Sequence, residues 1–412
     1  MSSPDRSETT VVTGNTARTR PENRAFYPAL DGLRALAFLM VFSYHYLEVP
    51  WGWTGVDVFF VLSGFLITGI LFDTRDDSHR VRNFYVRRTL RIFPLYYGVM
   101  IGILALIPVM HWEISWKWLV WPAYIGNFAR FFHPYADNSA VQKLADFQPT
   151  AGAGLHHVKL YLGHFWSLCV EEQFYLFWPW LVFWVRDRRR LAWLCALSVP
   201  ACLALRLLGQ HFLPGWMLQG EILYRLTPLR LDALLLGGLL ALLLRGSRRE
   251  WYLRMGRRLF PLIAMIVLAL LLARPGTPPW HRPYTYPDWK FTWGLTAVDL
   301  LSGMVILTAL QAGTVVCRVF SIRPLRWLGR ISYGAYVLHD IPHPIYAMLC
   351  TKLVQHLTAG SALSAHTIAR ASTQLTALIA LVGTLVLSWL SYRWLESPFL
   401  NLKERWTARV IH

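Results

Sequence analysis

Apolar runs of roughly 17 to 23 residues recur along almost the whole of this 412-residue chain, each about long enough to cross the hydrocarbon core of a bilayer as an α-helix. In hydrocarbon every backbone polar group has to be satisfied within the protein, so such runs fold as helices packed side by side. They lie near 28–48, 54–72, 93–110, 164–185, 190–208, 228–245, 259–274, 291–312, 333–353 and 372–394. The expectation is an all-α, polytopic membrane helical bundle of about ten transmembrane helices. A further stretch, 116–130, is aromatic but short and interrupted by Pro122, and is expected to lie at the interface or re-enter rather than span. Charged residues make up only 16% of the chain, against about a quarter in ordinary soluble domains. Helices and short loops use up the length, which leaves no room for a separate folded domain.

Charge orients the bundle. With the N-terminus inside, the inner segments hold about 28 of the 41 Lys and Arg and the outer loops about eight, as the positive-inside rule requires. Both termini are then cytoplasmic. Residues 1–25 are polar and have no apolar core or cleavage site, so they are expected to be a disordered cytoplasmic tail rather than a signal peptide. Residues 26–400 form the membrane domain and 401–412 a short cytoplasmic tail. The net charge of +18 is dispersed over inner loops instead of gathered on a soluble domain, which argues against a nucleic-acid partner. The five cysteines show neither CxxC spacing nor an extracellular framework, so no disulfide or cysteine metal site is expected.

Ionisable groups inside the apolar runs are the functional signal, because each costs about 2.5 to 3.5 kcal/mol at a helix centre and normally faces a bundle interior or a wet cavity. The first run, LDGLRALAFLMVFSYHYLEV, carries Asp31, Arg34 and His45. Arg34 and His45 are eleven residues apart, three turns plus about 20°, so they share one face and stand about 16 Å apart along the axis. Asp57 opens the second run just beyond a short hairpin, where a carboxylate can orient the imidazole of His45 as a general base; it equally suits a helix N-terminus. Arg87, Arg88 and Arg91 precede the third run and form either an ordinary inner loop or a cluster of guanidinium forks suited to phosphate. In FWSLCVEEQFY, Glu171 and Glu172 sit in an apolar aromatic run, where one is expected to turn away from the other. Glu171 is preferred, since Ser167 lies one turn before it. Arg230 and Asp232 suggest a structural ion pair, and His339 a packed polar group bonding a neighbouring helix. His156, His157 and His164 lack a regular ligand spacing, so no metal is expected.

The segments LDGLRALAFLMVFSYH, GVDVFFVLSGFLIT, RRTLRIFPLYY, FWSLCVEEQFY, LRLDALLLGGLLA, LGRISYGAYVLH and LSYRWLESP together resemble the acyltransferase 3 family of bacterial membrane O-acyltransferases, in the family's order and over residues 28 to 400. The resemblance implies transfer of a small acyl group, often acetyl, from cytoplasmic acyl-CoA to a hydroxyl on a surface polysaccharide, lipopolysaccharide, peptidoglycan, lipo-oligosaccharide or macrolide. It places the protein in the bacterial cytoplasmic (inner) membrane with no permanently bound cofactor. The family's Arg and His, ten residues between them, fall on Arg34 and His45; its arginine motif falls on Arg87, Arg88 and Arg91; its Ser-three-residues-Glu element falls on Ser167 and Glu171. Some members also carry a fused extracytoplasmic hydrolase-like domain, for which this chain has no matching stretch.

The expected chemistry follows. Inner arginines hold the CoA phosphates, and His45, oriented by Asp57 or Glu171, takes the acceptor hydroxyl proton. Arg34 stabilises negative charge on CoA or in the transition state. Direct transfer and an acyl-histidine intermediate both remain open. A proton-coupled transporter or flippase of a lipid-linked sugar, with His45 and Glu171 as relay groups, is the alternative; the absence of an evident inverted repeat argues against it.

Overall fold

A computed structural model of the chain describes residues 27–110, 112–113, 116–128, 148–149, 160–214, 222–272, 289–359 and 363–406. Apart from a two-residue antiparallel ladder between Trp112–Glu113 and Gln148–Pro149, the regular elements among the described residues are helices. The α-helices of six residues or more are, in chain order, α1 (Pro28–Leu47), α2 (Gly55–Asp73), α3 (Arg80–Met110), α4 (Trp166–Trp184), α5 (Arg188–Phe212), α6 (Leu231–Leu243), α7 (Arg249–Leu272), α8 (Trp293–Ala309), α9 (Val315–Phe320), α10 (Arg323–Leu338), α11 (His343–Leu357), α12 (Ala365–Ser391) and α13 (Ser397–Trp406). Four helical stretches among the described residues are long and apolar enough to cross a membrane: Gly52–Asp73, Arg80–Val109, Arg188–Phe212 and Ala365–Lys403. Large apolar side chains such as Phe177, Trp184, Leu197 and Phe212 are exposed on the outside, which suits lipid rather than water. This is a membrane protein.

Local sequence explains the helix ends. Pro28 sits in the first turn of α1, where a missing N–H costs nothing. Side chains of Asp187, Thr314 and Ser364 cap α5, α9 and α12. Prolines lie inside α3, α4, α5 and α7, as membrane helices tolerate where neighbouring groups can satisfy the freed carbonyls.

One of the expected runs folds differently, and the stretch 116–130, expected to lie at the interface or re-enter, is not a continuous helix as far as it is described. The run 333–353 is broken: α10 ends at Leu338, α11 starts at His343, and Pro342 precedes α11, where it cannot donate to the carbonyl four residues back. The stretch 116–130 forms, as far as it is described, a 3₁₀ turn at Trp116–Val120 and a further turn that folds back on the bundle. Its carbonyls accept from helix side chains: Trp121 from Tyr96 Oη at 2.7 Å, Pro122 from Tyr97 Oη at 3.0 Å and Tyr124 from Gln173 Nε2 at 2.7 Å. These bonds satisfy non-helical backbone from within the protein, which is the condition for it inside a bilayer.

The centre of the bundle is α1, α2 and α6, with α10 against α1. The contact between α2 and α6 is made backbone to backbone at glycines, as membrane helices require. A Cβ on Gly64 would stand 1.7 Å from the carbonyl oxygen of Leu234, and one on Gly237 2.0 Å from that of Val61. Neither obstacle is a side chain that can rotate away. Gly237→Val is therefore expected to cost at least about 1–3 kcal/mol and to reduce the yield of monodisperse protein in detergent size-exclusion chromatography. An unchanged yield and unfolding temperature would contradict this packing.

Candidate active site

Helix α1 presents two polar regions, one at each of the residues that the 16 Å spacing had singled out. At the Arg34 end, a cavity of about 90 Å³ is lined by Arg34, Arg88, Arg91, Glu171 and Glu172, with Tyr336 among its walls. Arg34 Nε donates to Ser332 Oγ at 3.2 Å. The Arg88 guanidinium lies 3.6 Å from the centre of the Tyr175 ring, and the Tyr175 hydroxyl is bonded to Ser63. Both Glu171 and Glu172 reach the cavity, against the expectation that one turns away; neighbours on a helix are only about 100° apart. Arg88 and Arg91, three residues apart, share the cavity face. Arg87 is not among its lining residues.

At the other end, an opening of about 430 Å³ is lined by His45, Asp340 and His343, together with Tyr44, Glu48 and Tyr161. The His45 side chain is 21% exposed. The break between α10 and α11 brings His339 and Asp340 to it. His339 Nδ1 lies 2.7 Å from the carbonyl oxygen of Tyr336, and a carbonyl can only accept, so Nδ1 carries the proton. In the neutral ring Nε2 is then an acceptor. It lies 3.0 Å from His45 Nδ1, which must donate. The His45 proton is thereby held on Nδ1, also 3.4 Å from Asp340 Oδ1, and Nε2 of His45 keeps its lone pair, the tautomer that a general base needs. Asp340 gathers two further imidazoles: His343 Nδ1 at 3.3 Å and the buried His164 Nδ1 at 3.6 Å. His164 Nε2 donates to the carbonyl of Val337 at 3.1 Å.

One layer of side chains separates the regions. Ser167 and Tyr336 line the arginine cavity, their hydroxyls are 2.6 Å apart, and Tyr336 Oη donates to the carbonyl of His164 at 3.1 Å. The ring of Tyr336 is 5.5 Å from that of His339.

Asp57 is not part of this arrangement. It is fully buried and bonded to Arg230. Gly55 abuts the backbone of α1 at Ala37, and two residues further on the helix has turned by about 200°, so Asp57 faces α6. Arg230 and Asp232 likewise bond across helices instead of to each other, as residues two apart on a helix do. Arg206 supplies the second cation: it donates to Asp232 Oδ2 at 2.6 Å, Thr296 Oγ1 at 2.7 Å and the carbonyl of Leu229 at 2.6 Å. Asp299 is also buried here. Glu171 belongs to the arginine cavity, so the carboxylate beside His45 is Asp340. Asp340, Tyr336, Arg206 and Asp299 carry no role in the sequence reading, and His164 enters it only as a possible metal ligand. The signal for the first was the run HDIPH, a carboxylate between histidines where a proline breaks the helix. His156 and His157 lie outside the described residues. Among those described, no three His, Cys, Asp or Glu side chains are disposed to hold one metal ion.

A family model described as an acyltransferase domain matches residues 27–393. Peptidoglycan O-acetyltransferase OatA of Listeria monocytogenes is 30% identical over 399 residues, covering 92% of this chain and 57% of the relative. A putative peptidoglycan O-acetyltransferase of Bacillus subtilis, YrhL, is 28% identical over 397 residues, covering 92% and 56%. A putative O-acetyltransferase of Staphylococcus aureus is 26% identical over 354 residues, covering 78% and 51%. The chain thus spans little more than half the length of the curated relatives it matches. No solved structure matches it significantly.

The buried Asp57–Arg230 pair yields a stability test. Deleting one partner of such a pair costs about 3–5 kcal/mol, because the other charge is left buried and unmatched, whereas an apolar pair of similar volume is often tolerated. Asp57→Ala is expected to lower the thermal midpoint of the purified protein, and the double change Asp57→Leu, Arg230→Met to recover much of the loss. A midpoint unmoved by Asp57→Ala would mean that the pair does not hold the helices.

Proposed function

The chain belongs to the acyltransferase family whose domain its residues 27–393 match, and from that premise we propose that it transfers an acyl group, acetyl first among candidates, from acyl-CoA to a hydroxyl of a carbohydrate-type acceptor. The Arg34 end is cytoplasmic in this scheme and receives the donor, the His45 end receives the acceptor, and about ten helical passages cross the bacterial cytoplasmic membrane between cytoplasmic termini. No cofactor is permanently bound. Two relatives named for peptidoglycan O-acetylation favour a saccharide over a macrolide as acceptor. The observation that carries the proposal is the setting of His45, whose Nδ1 faces His339 Nε2 and Asp340 Oδ1 while its ring lines a cavity wide enough for an acceptor.

The reaction runs as follows. His45 Nε2 takes the hydroxyl proton while the acceptor oxygen attacks the thioester carbonyl. The imidazolium that forms is stabilised by Asp340. The tetrahedral intermediate collapses with cleavage of the C–S bond, and the proton on His45 passes to the departing thiolate, so acceptor ester and CoA thiol are the products. Arg34, Arg88 and Arg91 hold phosphate charge on the donor, and Glu171 and Ser167 shape the passage from that cavity toward His45. Attack by His45 Nε2 itself, giving an acyl-histidine, would use the same Asp340 support. The buried Asp57, Asp232 and Asp299 are the one feature that favours a proton-coupled transporter or flippase, but Asp57 and Asp232 are matched by Arg230 and Arg206.

Membranes or purified protein supplied with labelled acetyl-CoA and a saccharide acceptor test this. His45→Ala is expected to lower transfer by about 10²–10⁴-fold, and Asp340→Asn to lower kcat by a smaller factor with little change in the KM of acetyl-CoA. Full transfer by His45→Ala would remove the histidine from the chemistry. Failure of the wild-type protein to consume acetyl-CoA, combined with movement of a lipid-linked sugar across vesicles, would select the transporter.

A further inference from the structure

Beside the arginine cavity lies a second one that the reaction above does not use. It measures about 260 Å³ and is lined by Arg91, Arg326, Arg330, Asp31, Tyr392 and Glu396, among others. Arg91 lines both cavities, so they adjoin. Arg326 and Arg330 are four residues apart on α10 and therefore stand on one face. Gly329 between them fixes their distance from α1: its Cβ, if present, would lie 1.8 Å from the carbonyl oxygen of Asp31. Tyr392 and Glu396 come from the π-helical turn that joins α12 to α13. Glu396 is buried, and its Oε1 accepts from Ser391 Oγ at 3.1 Å.

Three guanidiniums outnumber two carboxylates, and their planar forks match phosphate oxygens. A bare phosphate, however, has no use for a phenol ring or two carboxylates. A purine nucleoside phosphate uses all of them: the ring offers a face for the base, the carboxylates accept from its exocyclic amino group and the ribose hydroxyl, and the arginines hold the phosphate monoester. We propose that this cavity seats the 3′-phosphoadenosine end of the CoA donor. The diphosphate then lies near Arg88 and Arg91, and the pantetheine arm enters the adjoining cavity past Arg34. This rests on the acyl-CoA reading of the donor. A phospholipid headgroup offers similar phosphate chemistry, but neither a purine nor a dependence on the 3′-phosphate.

The consequence is selectivity for a phosphate far from the thioester. Wild-type protein in detergent is expected to show a KM for acetyl-CoA about ten- to hundredfold below that for acetyl-3′-dephospho-CoA, the range set by a charge-assisted contact. Arg330→Ala should raise the first KM by a similar factor, leave the second and both kcat values nearly unchanged, and so abolish the preference; Arg330→Lys should recover part of it. Arg330 is exposed, so the fold should survive, as size-exclusion chromatography will check. Equal losses on both donors, or none on either, would overturn the proposal, equal losses being what a lipid or structural role produces. Direct binding of adenosine 3′,5′-bisphosphate, measured by calorimetry on the same proteins, separates the site from the reaction. Binding by wild type that is lost in Arg330→Ala supports the cavity even if no acyl transfer is found. Binding unaffected by the substitution counts against it even if transfer is robust.

Discussion

Charge that has been taken out of water must be matched within the bundle, and the architecture follows from how this chain does so. Arg206 and Arg230 have no exposed side-chain surface, and their partners come from other helices: Asp232 on α6 and Asp57 on α2. These bonds tie α5, α6 and α2 together where no aqueous solvent competes. They add little net stability over apolar packing of the same volume, but they penalise every arrangement of the helices that leaves one charge alone. The glycine contacts between α2 and α6 fix the distance between the helices, and the ion pairs fix their register.

A different rule operates at His45. Here the backbone, through the Tyr336 carbonyl, decides where a proton resides on His339, and that decision passes to His45 along a nitrogen-to-nitrogen hydrogen bond. The carbonyl lies close to the break between α10 and α11. Within an uninterrupted helix it would accept from the amide four residues later, which here is that of Asp340. The broken helix thus supplies both a carbonyl that orients an imidazole and a short segment, His339–Pro342, that brings Asp340 to His45. Tyr46 Oη donates to the freed carbonyl of His339 at 2.6 Å, so the break is satisfied from α1 itself.

Much of this was legible in the sequence, and what was not has identifiable causes. The helical class follows from apolar length alone, and the shared face of Arg34 and His45 from helical geometry. Partner choice was less accessible. Asp57 is close to His45 along the chain, yet one hundred degrees per residue turns it toward α6, and no sequence distance encodes that. Arg206 and Asp232 are 26 residues apart, and His45 and His339 are 294 apart; such pairs are products of tertiary packing. The helix break at 339–342 was signalled by Pro342, but the continuous apolar character of 333–353 hid it. Glu171 and Glu172 show a further limit: a cavity wide enough to be faced from two directions accepts neighbouring side chains together.

The distribution of charge between the two regions bears on how a donor and an acceptor can meet. Arg34, Arg88 and Arg91 face one cavity, with Arg326 and Arg330 around its neighbour, whereas His45, Asp340 and His343 line an opening to which no arginine among the described residues contributes. For the acyl-CoA donor proposed above, electrostatics would hold the polyanionic part at the first end, where it would gain nothing by moving further. What would cross the layer of Ser167 and Tyr336 is the neutral end of the molecule, the thioester and the arm that bears it. Removing a neutral group from water costs far less than removing a phosphate, so the boundary between the regions would sort such a donor by charge. On that proposal an acyl group would reach His45 on one side while the nucleotide stayed anchored on the other.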